Sequence, residues 1–530
     1  MSLAGHINTY ASFAWGLRGF LSERATAERG RDVILGRLRD RDANFLALMK
    51  GTVFDNPSSP YIPLLRWAGC EYGDFESSVL RNGIEATLQK LQSEGVYVTI
   101  DEFKCRRPIV RGAVTVDCRE EDFDNPFLRT GIRATSGGSR SRGTATTLSL
   151  ERTGYIAHCQ AIALEAHGLS GRPTLLWMPA LPSAAGLVVM LQLSKIGTPP
   201  KKWFSPVASS AVRPSFSKRM ATLYLVHAGR AFGADIPAPE YVSTERAWDI
   251  VRCIEIILEQ GRGCVVCCSP SSAVIAARTA VSAGVGLSGV AFMTGGEPLT
   301  PSKAAEIRLS GATAVNMYAS SEVGTIGYGC AGATKACDDI HILQGSQAVI
   351  QYERNTPFGG GSVQSLLFSS LHERAAKILV NVESGDYGVL DTRECGCMFG
   401  ELGLKRHLHT IRSFDKLTGQ GMTFVGTDIV RIIEEVLPAR FGGVSTDYQM
   451  VELEDAGGQT RLDVIVGPDV GVVDEAQVVD LVLDELSKGS DTNRMMAAVW
   501  RERQVLRVRR ESPHLTSGGK LLSLHIGTKG

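Results

Sequence analysis

The sequence predicts an α/β protein, in which a large domain with mostly parallel sheets is followed by a small α+β domain. Three observations support this fold class. Short apolar segments typical of buried strands alternate with helical segments from about residue 133 onward. The chain has 530 residues, which is long for a single hydrophobic core. After about residue 412 the elements follow an α-β-β-α-β order, which is typical of a compact α+β domain.

The N-terminal part of the chain predicts a helical region. Apolar positions recur at helical spacing in Ser22–Arg41, and Tyr61–Gly69 and Phe75–Gly95 predict two more helices. The alternating segment Val96–Ile100 predicts a strand, and Ala113–Val116 predicts another short one.

Strands and helices alternate in the middle of the chain, and this order predicts a largely parallel sheet. The predicted strands are Thr174–Met178, Cys264–Cys268, Gly289–Thr294 and Ala312–Met317. The predicted helices are Gly186–Leu193, Thr244–Gln260, Ser271–Ala283 and Ser302–Leu309. Strand-like segments follow at Ser365–Ser369, Ala376–Val382 and Gly388–Asp391.

The last part of the chain supplies the elements of the small domain. Its predicted helices are Thr427–Val436 and Glu475–Ser487, and its predicted strands are Tyr448–Glu454, Arg461–Val466 and Gln504–Arg509. We therefore divide the chain into a large domain, residues 1–411, whose residues 1–132 are the helical N-terminal region, and a small C-terminal domain, residues 412–530.

Composition excludes several classes of partner. The 56 basic and 56 acidic side chains give a formal net charge of zero, which argues against nucleic acid as a partner. No apolar segment approaches the roughly 18 residues of a membrane-spanning helix, and Met1–Tyr10 lacks a secretory pattern. The 12 cysteines are scattered, so we expect a reduced, cytoplasmic protein without a membrane partner. A homodimer is one assembly that the sequence leaves open.

The segment Ala134–Thr144 (ATSGGSRSRGT) has the strongest local potential for chemistry. Its small residues allow the backbone to curl around a phosphate, while hydroxyls, amide N–H groups and Arg140 or Arg142 supply hydrogen bonds and charge. It lacks the GxxxxGK[ST] pattern of a Walker A loop. The alternative is a solvated Ser/Gly loop.

Four further segments carry polar groups next to predicted strands or turns. They are Thr294–Leu299 (TGGEPL), Asn316–Gly324 (NMYASSEVG), Ser384–Gly388 (SGDYG) and Pro513–Lys520 (PHLTSGGK). A carboxylate flanked by hydroxyls, as at Glu322, suits Mg²⁺ bound to phosphate, and a lysine on a Gly-rich loop suits developing negative charge. Each segment also has an ordinary structural interpretation as a βα turn, a polar loop, a turn cap or a terminus.

The order and spacing of these segments resemble the adenylate-forming superfamily of acyl-CoA synthetases, adenylation domains and luciferases. The resemblance extends from about Arg133 to Lys520, and the most similar branch is that of phenylacetate–CoA ligase and CapK-like proteins. It implies a large ATP- and acyl-binding domain and a small mobile C-terminal domain that closes over it.

The resemblance also implies a role for each motif. The phosphate loop consists of Thr135, Ser136, Gly137, Gly138, Ser139 and Arg140. The segment stacked on adenine consists of Gly295, Gly296, Glu297 and Pro298. The YG[ST]TE-like motif consists of Tyr318 near adenine, Ala319, Ser320, Ser321 near phosphate and Glu322 on Mg²⁺. Asp386 is the ribose-binding aspartate, Arg412 opens the hinge motif, and Lys520 is the catalytic lysine.

Several positions depart from the family pattern. Gly138-Ser139-Arg140 replaces Thr-Thr-Gly, Arg142 replaces a proline, and Ala319 replaces a glycine. After Arg412 the hinge role falls to Asp415 or Lys416. These changes leave an altered or weakened adenylation step as a hypothesis.

A structural zinc site is a further expectation. Cys395-Gly396-Cys397 is a CxC pair, and Cys337 and His341 form a C-x3-H pair, a donor set that suits tetrahedral Zn²⁺. The CapK-like branch carries a zinc site built from similar pairs, so the resemblance implies Cys337, His341, Cys395 and Cys397 as ligands. Cys330 is the alternative to Cys337.

The resemblance implies a two-step reaction of a ligase that uses ATP and Mg²⁺. A small-molecule carboxylic acid is converted to an acyl-adenylate with release of pyrophosphate, and a thiol then takes the acyl group. CoA is the expected acceptor, and a carrier-protein thiol or a nitrogen nucleophile is the alternative. Trp177–Gly186, His227–Phe232 and Tyr318 are the implied acyl-pocket residues, and their apolar character favours an aromatic or hydrophobic acid.

A different class of function is a non-adenylating acyl transferase or binding protein with the same fold. The unusual phosphate loop favours this alternative, whereas Glu322, Asp386, Arg412 and Lys520 argue against it. The sequence contains no GxSxG nucleophile elbow and no strand–GxGxxG–helix segment, which excludes an α/β-hydrolase and a Rossmann dehydrogenase.

Overall fold

The protein is described here from a computed structural model. The residues that it describes are 16–128, 132–135, 145–180, 183–206, 224, 226–355, 362–413, 418–419, 422–423, 429–454, 460–488, 494, 497, 500–501, 505–516 and 519–526. Within these ranges, no helix combines the length and the apolar character that a membrane crossing requires.

The N-terminal region is mainly helical. Its elements are α1 (Ala27–Arg39), α2 (Arg41–Met49), α3 (Ile62–Trp67), α4 (Tyr72–Asn82), α5 (Ile84–Ser93), α6 (Ile100–Phe103), β1 (Ile109–Arg111) and β2 (Val114–Val116). The prediction of a strand at Val96–Ile100 is wrong, because Val98 makes only one parallel bridge, to Val382, and α6 begins at Ile100. Thr99 and Glu102 form a capping box, a helix-start signal that outweighs the alternating pattern.

Residues 132–413 supply most of the central sheet and the helices that cover it. The strands are β3 (Ile132–Thr135), β4 (Ala145–Leu148), β5 (Thr174–Trp177), β6 (Lys202–Ser205), β7 (Pro239–Tyr241), β8 (Cys264–Cys268), β9 (Val290–Gly295), β10 (Thr313–Ser320), β11 (Gly324–Gly329), β12 (Ile340–Ile342), β13 (Gln347–Asn355), β14 (Ser362–Ser370), β15 (Val382–Thr392) and β16 (Arg406–Ser413). The helices are α7 (Leu150–Ala166), α8 (Ala184–Ile196), α9 (Ala247–Glu259), α10 (Pro270–Ser282), α11 (Pro301–Leu309) and α12 (Met398–Glu401).

Twelve of the described strands form one sheet, and the predicted α/β class is confirmed. Their order is β13-β14-β15-β16-β12-β11-β10-β9-β8-β5-β6-β7. The six strands from β10 to β7 in this order pair in parallel, and the pairs between β13 and β10 are antiparallel. Strands β3 and β4 pair with each other in a separate hairpin.

Helices cover both faces of the parallel half of the sheet. Val265 and Cys267 of β8 lie in one core with residues of α7 and α8. Cys264, Val266 and Cys268 of the same strand lie in another core with residues of α9, α10 and α11. A strand that is buried on both faces has a continuous apolar sequence, and the CVVCC segment therefore packs in the core rather than at a site.

The antiparallel half of the sheet shares its core with the N-terminal helices. Phe45 and Phe75 pack in one cluster with Leu366 and Phe368 of β14. The strand predicted at Ala376–Val382 is wrong, since β15 begins only at Val382 and the preceding Asn381 has a left-handed backbone with φ of 51°. The first residue of α6, Ile100, donates its N–H to Glu383 Oε2 at 3.1 Å, and this bond anchors α6 beside β15.

The C-terminal residues form a second sheet with its own core. The elements are β17 (Thr418–Gly419), β18 (Met422–Thr423), α13 (Ile429–Arg431), α14 (Leu437–Phe441), β19 (Tyr448–Glu454), β20 (Thr460–Val466), α15 (Glu475–Ser487), β21 (Leu506–Arg510) and β22 (Leu524–Ile526). The order β21-β20-β19-β22 places the only described antiparallel pair of this sheet in its centre. The boundary at 411/412 stays a prediction.

Candidate active site

A cavity of about 650 Å³ lies at the carboxyl ends of the parallel strands. This is the edge at which ligands bind in open α/β sheets. Its lining brings together residues that the sequence analysis selected from five separate segments. These residues are Gly295, Gly296, Glu297, Pro298, Tyr318, Ala319, Ser320, Ser321, Glu322, Asp386, Arg412 and Lys520.

Of the expected phosphate loop, only Thr135 lies within the described residues. Thr135 ends strand β3, and Ser136, Gly137, Gly138, Ser139 and Arg140 lie outside the described residues. The hinge candidates Asp415 and Lys416 also lie outside them.

The turn at the end of β9 contains Gly295 and Gly296, whose backbone lies close to the neighbouring strand and to Lys520, the candidate catalytic lysine. Gly295 lies opposite Met317 in the β9–β10 register, and a Cβ added to it would lie 2.9 Å from Met317 O. Gly296 has φ of 85°, and a Cβ added there would lie 3.2 Å from Cε and 3.3 Å from Nζ of Lys520. The backbone of β9 therefore approaches both the neighbouring strand and the Lys520 side chain as only glycine allows.

Glu297 joins this turn to the Lys520 loop. Its Oε1 accepts a hydrogen bond from Leu521 N at 2.8 Å, and its Oε2 accepts from Ser271 Oγ at 2.5 Å. The loop itself is closed because Thr516 Oγ1 accepts from Lys520 N at 3.0 Å. A buried carboxylate that accepts from two parts of the chain holds them in a fixed relation. Glu297 therefore positions the loop that carries Lys520.

Glu434, which lies between α13 and α14, joins the C-terminal part of the chain to helix α11. Its carboxylate forms an ion pair with Lys303 Nζ at 3.2 Å, and the two side chains are only 3% and 4% exposed. The same carboxylate accepts from Thr300 Oγ1 at 2.5 Å and from Ser523 Oγ at 2.6 Å. Because breaking one partner of a buried pair leaves an uncompensated charge, these contacts define the arrangement of the two sheets in this structure.

Tyr318 and Asp386 form one polar pair in the cavity wall. The Tyr318 hydroxyl donates to Asp386 Oδ2 at 2.6 Å. Burial, followed by the Asp386 charge, raises the pKa of Tyr318 well above its usual range, so this hydroxyl keeps its proton. The β15–β16 register pairs Asp386 with Ser413 and Tyr387 with Arg412, which brings the ribose and hinge candidates to adjacent strands.

Arg412 is held by a buried aspartate. Its Nη1 donates to Asp338 Oδ2 at 3.1 Å. Asp338 also accepts from the backbone N–H groups of Thr410 and Ile411, each at 2.9 Å. The guanidinium therefore has a fixed partner next to the cavity, which the sequence analysis did not identify.

Glu322 has an ion-pair partner from the N-terminal region. Lys104 Nζ lies 2.5 Å from Glu322 Oε1, with side-chain exposures of 13% and 21%. Lys104 directly follows α6, and the sequence analysis missed it because it belongs to no motif and lies 218 residues away from Glu322. The ammonium group of Lys104 therefore already pairs with the Glu322 carboxylate, which the family resemblance assigns to Mg²⁺.

A cluster of sulfur and nitrogen donors lies between β11, β12 and the CxC pair. Cys397 Sγ is 4.0 Å from Cys330 Sγ, 3.3 Å from Cys395 Sγ and 3.0 Å from His341 Nε2. Cys395 Sγ is 3.4 Å from the same His341 nitrogen. His341 Nδ1 faces Leu404 O at 2.6 Å, which directs Nε2 toward the sulfurs.

The structure corrects one member of the expected quartet. Cys337 is not in the cluster, since its Sγ donates to Leu299 O at 3.2 Å, and Cys330 takes its place. His407 also lies within the group, and its Nδ1 is 3.0 Å from Asp339 Oδ1. The donor atoms of Cys330, His341, Cys395 and His407 lie within 4.8 Å of one another, and Cys397 Sγ lies 3.0 to 4.0 Å from the first three, so the cluster contains five candidate donors.

This Cys/His donor set could hold a metal ion. Tetrahedral coordination with Zn–S bonds of about 2.3 Å places sulfur ligands about 3.8 Å apart. The observed Sγ–Sγ separations of 3.3 Å and 4.0 Å bracket this value. Hydrogen bonding from Cys330 and then from His341 lowers the pKa of Cys397, which favours the thiolate that binds a metal.

The residues that the family resemblance implies for an acyl pocket line the cavity only in part. Trp177, Met178, Pro179, Ser183 and Tyr318 line the cavity, as expected. None of His227–Phe232 does, and helices α7 and α8 supply the wall instead.

No protein-family model and no curated protein sequence matches this chain. Several solved structures do match this chain. A 2-hydroxyisobutyryl-CoA ligase in the postadenylation state, in complex with 2-HIB-AMP, is similar over 95% of this chain and 90% of its own, with 12% identity and a TM-score of 0.50. The anthranilate CoA ligase AuaEII with anthranoyl-AMP covers 82% and 74% at 10% identity with a TM-score of 0.45. ATP-bound MatB from Rhodopseudomonas palustris covers 76% and 67% at 13% identity with a TM-score of 0.44. The first likeness shows that this chain has the fold of an acyl-CoA ligase.

Proposed function

We propose that this protein is an AMP-forming ligase that activates a carboxylic acid with ATP. The observation that carries the proposal is the single cavity in which Gly295–Pro298, Tyr318–Glu322, Asp386, Arg412 and Lys520 meet. The family resemblance assigns these positions to adenine, phosphate, ribose, the hinge and catalysis. The likeness to a ligase crystallised with 2-HIB-AMP supports the same chemistry.

The chemistry requires positioning and charge stabilisation more than covalent catalysis. A carboxylate oxygen of the acid attacks the α-phosphorus of ATP, the new acyl–O–P bond forms, and pyrophosphate leaves with the electrons of the broken P–O bond. Tyr318 and Asp386 would hold the nucleoside. Lys520, next to the turn at Gly296, would offset the negative charge that the carboxylate and phosphate bring together.

The acceptor of the acyl group is proposed to be the thiol of CoA. A thiolate attacks the acyl carbon and AMP leaves. A carrier-protein thiol or a nitrogen nucleophile is the alternative acceptor. We propose residues 412–530 as the domain that moves between the two steps, with the bonds of Glu297 and Glu434 breaking and reforming.

Two metals belong to the proposal. Glu322 would hold Mg²⁺, which offsets charge on the ATP phosphates when it is bound. Cys330, His341, Cys395 and Cys397 would hold a structural Zn²⁺ that links the β11–β12 region to the segment before β16.

Carboxylate-dependent exchange of labelled pyrophosphate into ATP tests the proposed activity. We expect exchange with at least one acid in a panel of aryl and alkyl carboxylic acids, and no exchange when the acid is omitted. Mass spectrometry of the products with CoA, and then with a phosphopantetheinylated carrier protein, identifies the acceptor. Acyl transfer without any exchange would contradict adenylation and favour a non-adenylating transferase.

Lys104 is expected to compete with Mg²⁺ for Glu322. Replacing Lys104 with Met removes the cation 2.5 Å from Glu322 Oε1, and with it one competitor of the metal for this carboxylate. We expect the Mg²⁺ concentration for half-maximal exchange to fall about fivefold, which corresponds to about 1 kcal/mol for a partly buried pair. Lys90→Met is the matched control, because Lys90 pairs with Glu94 at the end of α5 and both side chains are exposed, by 66% and 36%. An unchanged Mg²⁺ dependence in Lys104→Met would contradict this role.

A further inference from the structure

The wall of the cavity that α7 and α8 supply combines an apolar surface with two polar side chains. From α7, Arg152 and Ile156 line the cavity, and from α8, Val188, Val189 and Gln192 do. The residues on each helix are spaced by three or four positions, so they share one helix face. A ligand bound against this wall would contact aliphatic carbons, a guanidinium and an amide.

Arg152 is a cation that is held in place without a carboxylate partner in the described residues. Its Nη2 donates to Val323 O, and its buried Nε has no hydrogen-bond partner there. Gly324 makes room for the group, since a Cβ there would lie 3.0 Å from Cζ and both Nη atoms of Arg152. The backbone is therefore shaped around the guanidinium.

The Arg152 side chain is part-buried, so its charge is partly desolvated unless an anion approaches it. Desolvation lowers the pKa of Arg152 to about 10, so the group is still charged at neutral pH. Buried charges in proteins are paired or bind ligands, because an isolated charge in a low-dielectric site is strongly disfavoured. The other arginines and lysines of the cavity wall include Lys104 and Arg412, which have Glu322 and Asp338 as partners.

Gln192 adds a second unsatisfied group to the same wall. Its side chain is 1% exposed, and its Oε1 has no hydrogen-bond partner among the described residues. Neither a phosphate of ATP nor an ionised carboxylate can satisfy this oxygen, because both only accept hydrogen bonds. The apolar neighbours of Arg152 in the same wall, Ile156, Val188 and Val189, suit the carbon skeleton of an acid rather than a chain of phosphates.

We propose that the acid that this protein activates has an apolar body and a second anionic group, such as a second carboxylate, which Arg152 binds. This inference rests on the proposed function and narrows its substrate class. Val188, Val189 and Ile156 contact the body of the acid, and the bidentate fork of Arg152 selects the second carboxylate. The sequence analysis predicted an aromatic or hydrophobic acid, and Arg152 adds a charge requirement to that expectation.

Matched pairs of acids with the same carbon skeleton test the inference in the full-length protein. The pairs are benzoate with isophthalate and hexanoate with adipate, in carboxylate-dependent ATP–pyrophosphate exchange. We expect kcat/KM to be about 10- to 100-fold higher for the diacid of at least one pair. Arg152→Gln should remove this preference without changing the KM for ATP, and Arg152→Lys should restore part of it.

Each contrary outcome has a distinct meaning. Equal or better exchange with the monoacids overturns the inference and leaves the proposed ligase activity intact. An increase in the KM for ATP in Arg152→Gln, equal for all acids, assigns Arg152 to a phosphate of ATP and also overturns the inference. No exchange with any acid contradicts the proposed function itself and the inference with it.

Discussion

Replacing Lys520 with Ala is expected to reduce carboxylate-dependent ATP–pyrophosphate exchange by at least about 100-fold, the effect of removing a group that stabilises transition-state charge. The Lys520 side chain lies against the backbone of Gly296 in the cavity wall. Alanine removes the ammonium group and keeps the backbone bonds of the loop, which run from Leu521 N to Glu297 and between Thr516 and Lys520. A loss of exchange would therefore result from removal of the Lys520 charge and not from a change in the conformation of the loop.

The matched control is Lys488→Ala, also in the C-terminal part of the chain. Lys488 is exposed, pairs only with Glu485 at the end of α15 among the described residues, and does not line the cavity. Its replacement should leave exchange unchanged and alter stability little. If Lys520→Ala exchanged pyrophosphate as fast as the unmodified protein, Lys520 would not act in adenylation.

The second large effect is expected when Cys330 is replaced with Ser. This change removes one of the four proposed zinc ligands, Cys330, His341, Cys395 and Cys397, so the purified protein should lose its bound zinc. Because metal binding contributes directly to folding free energy, we expect the free energy of unfolding to fall by roughly 4 kcal/mol. Metal analysis of the purified chain and thermal unfolding with and without a chelator measure both effects.

Cys337→Ser separates the observed cluster from the one that the sequence suggested. Cys337 Sγ is bonded to Leu299 O, outside the cluster, so this variant should keep its zinc and most of its stability. Zinc loss in Cys337→Ser and zinc retention in Cys330→Ser would reverse the assignment. A reduced, unmodified protein without zinc would reject the metal site.

Motif residues could be predicted because their chemistry is local. The glycines at 295 and 296 follow an apolar strand, and Tyr318–Glu322 end the next parallel strand. Parallel neighbours end at the same edge of a sheet, so these two segments had to meet once the strands were recognised. The sequence pattern predicted the wrong element at Val96–Ile100, because the capping box of Thr99 and Glu102 starts a helix there in spite of the alternating apolar residues.

The partners of the motif residues could not be predicted. Lys104 is one lysine in a helical region, and nothing near it in sequence indicates Glu322 as its partner. Arg152 resembles any charged residue in the first turn of a helix, although it lines the cavity. Sequence spacing alone does not distinguish Cys330 from Cys337 as the ligand that joins His341, Cys395 and Cys397. The antiparallel register of β11 and β12, which pairs Tyr328 with His341, brings Cys330 to the imidazole and leaves Cys337 in the connecting loop.

Consecutive residues were sufficient to predict the α/β class and the types of group at each strand end, because apolar periodicity and glycine turns are properties of neighbouring positions. Long-range packing decided which charges pair, which cysteines share a histidine and which arginine lines the cavity beside α8. Ion pairs and metal coordination depend on distances of a few ångströms between segments far apart in sequence. Those distances are set by the central sheet, its helices and the second sheet that Glu434 and Glu297 hold beside it.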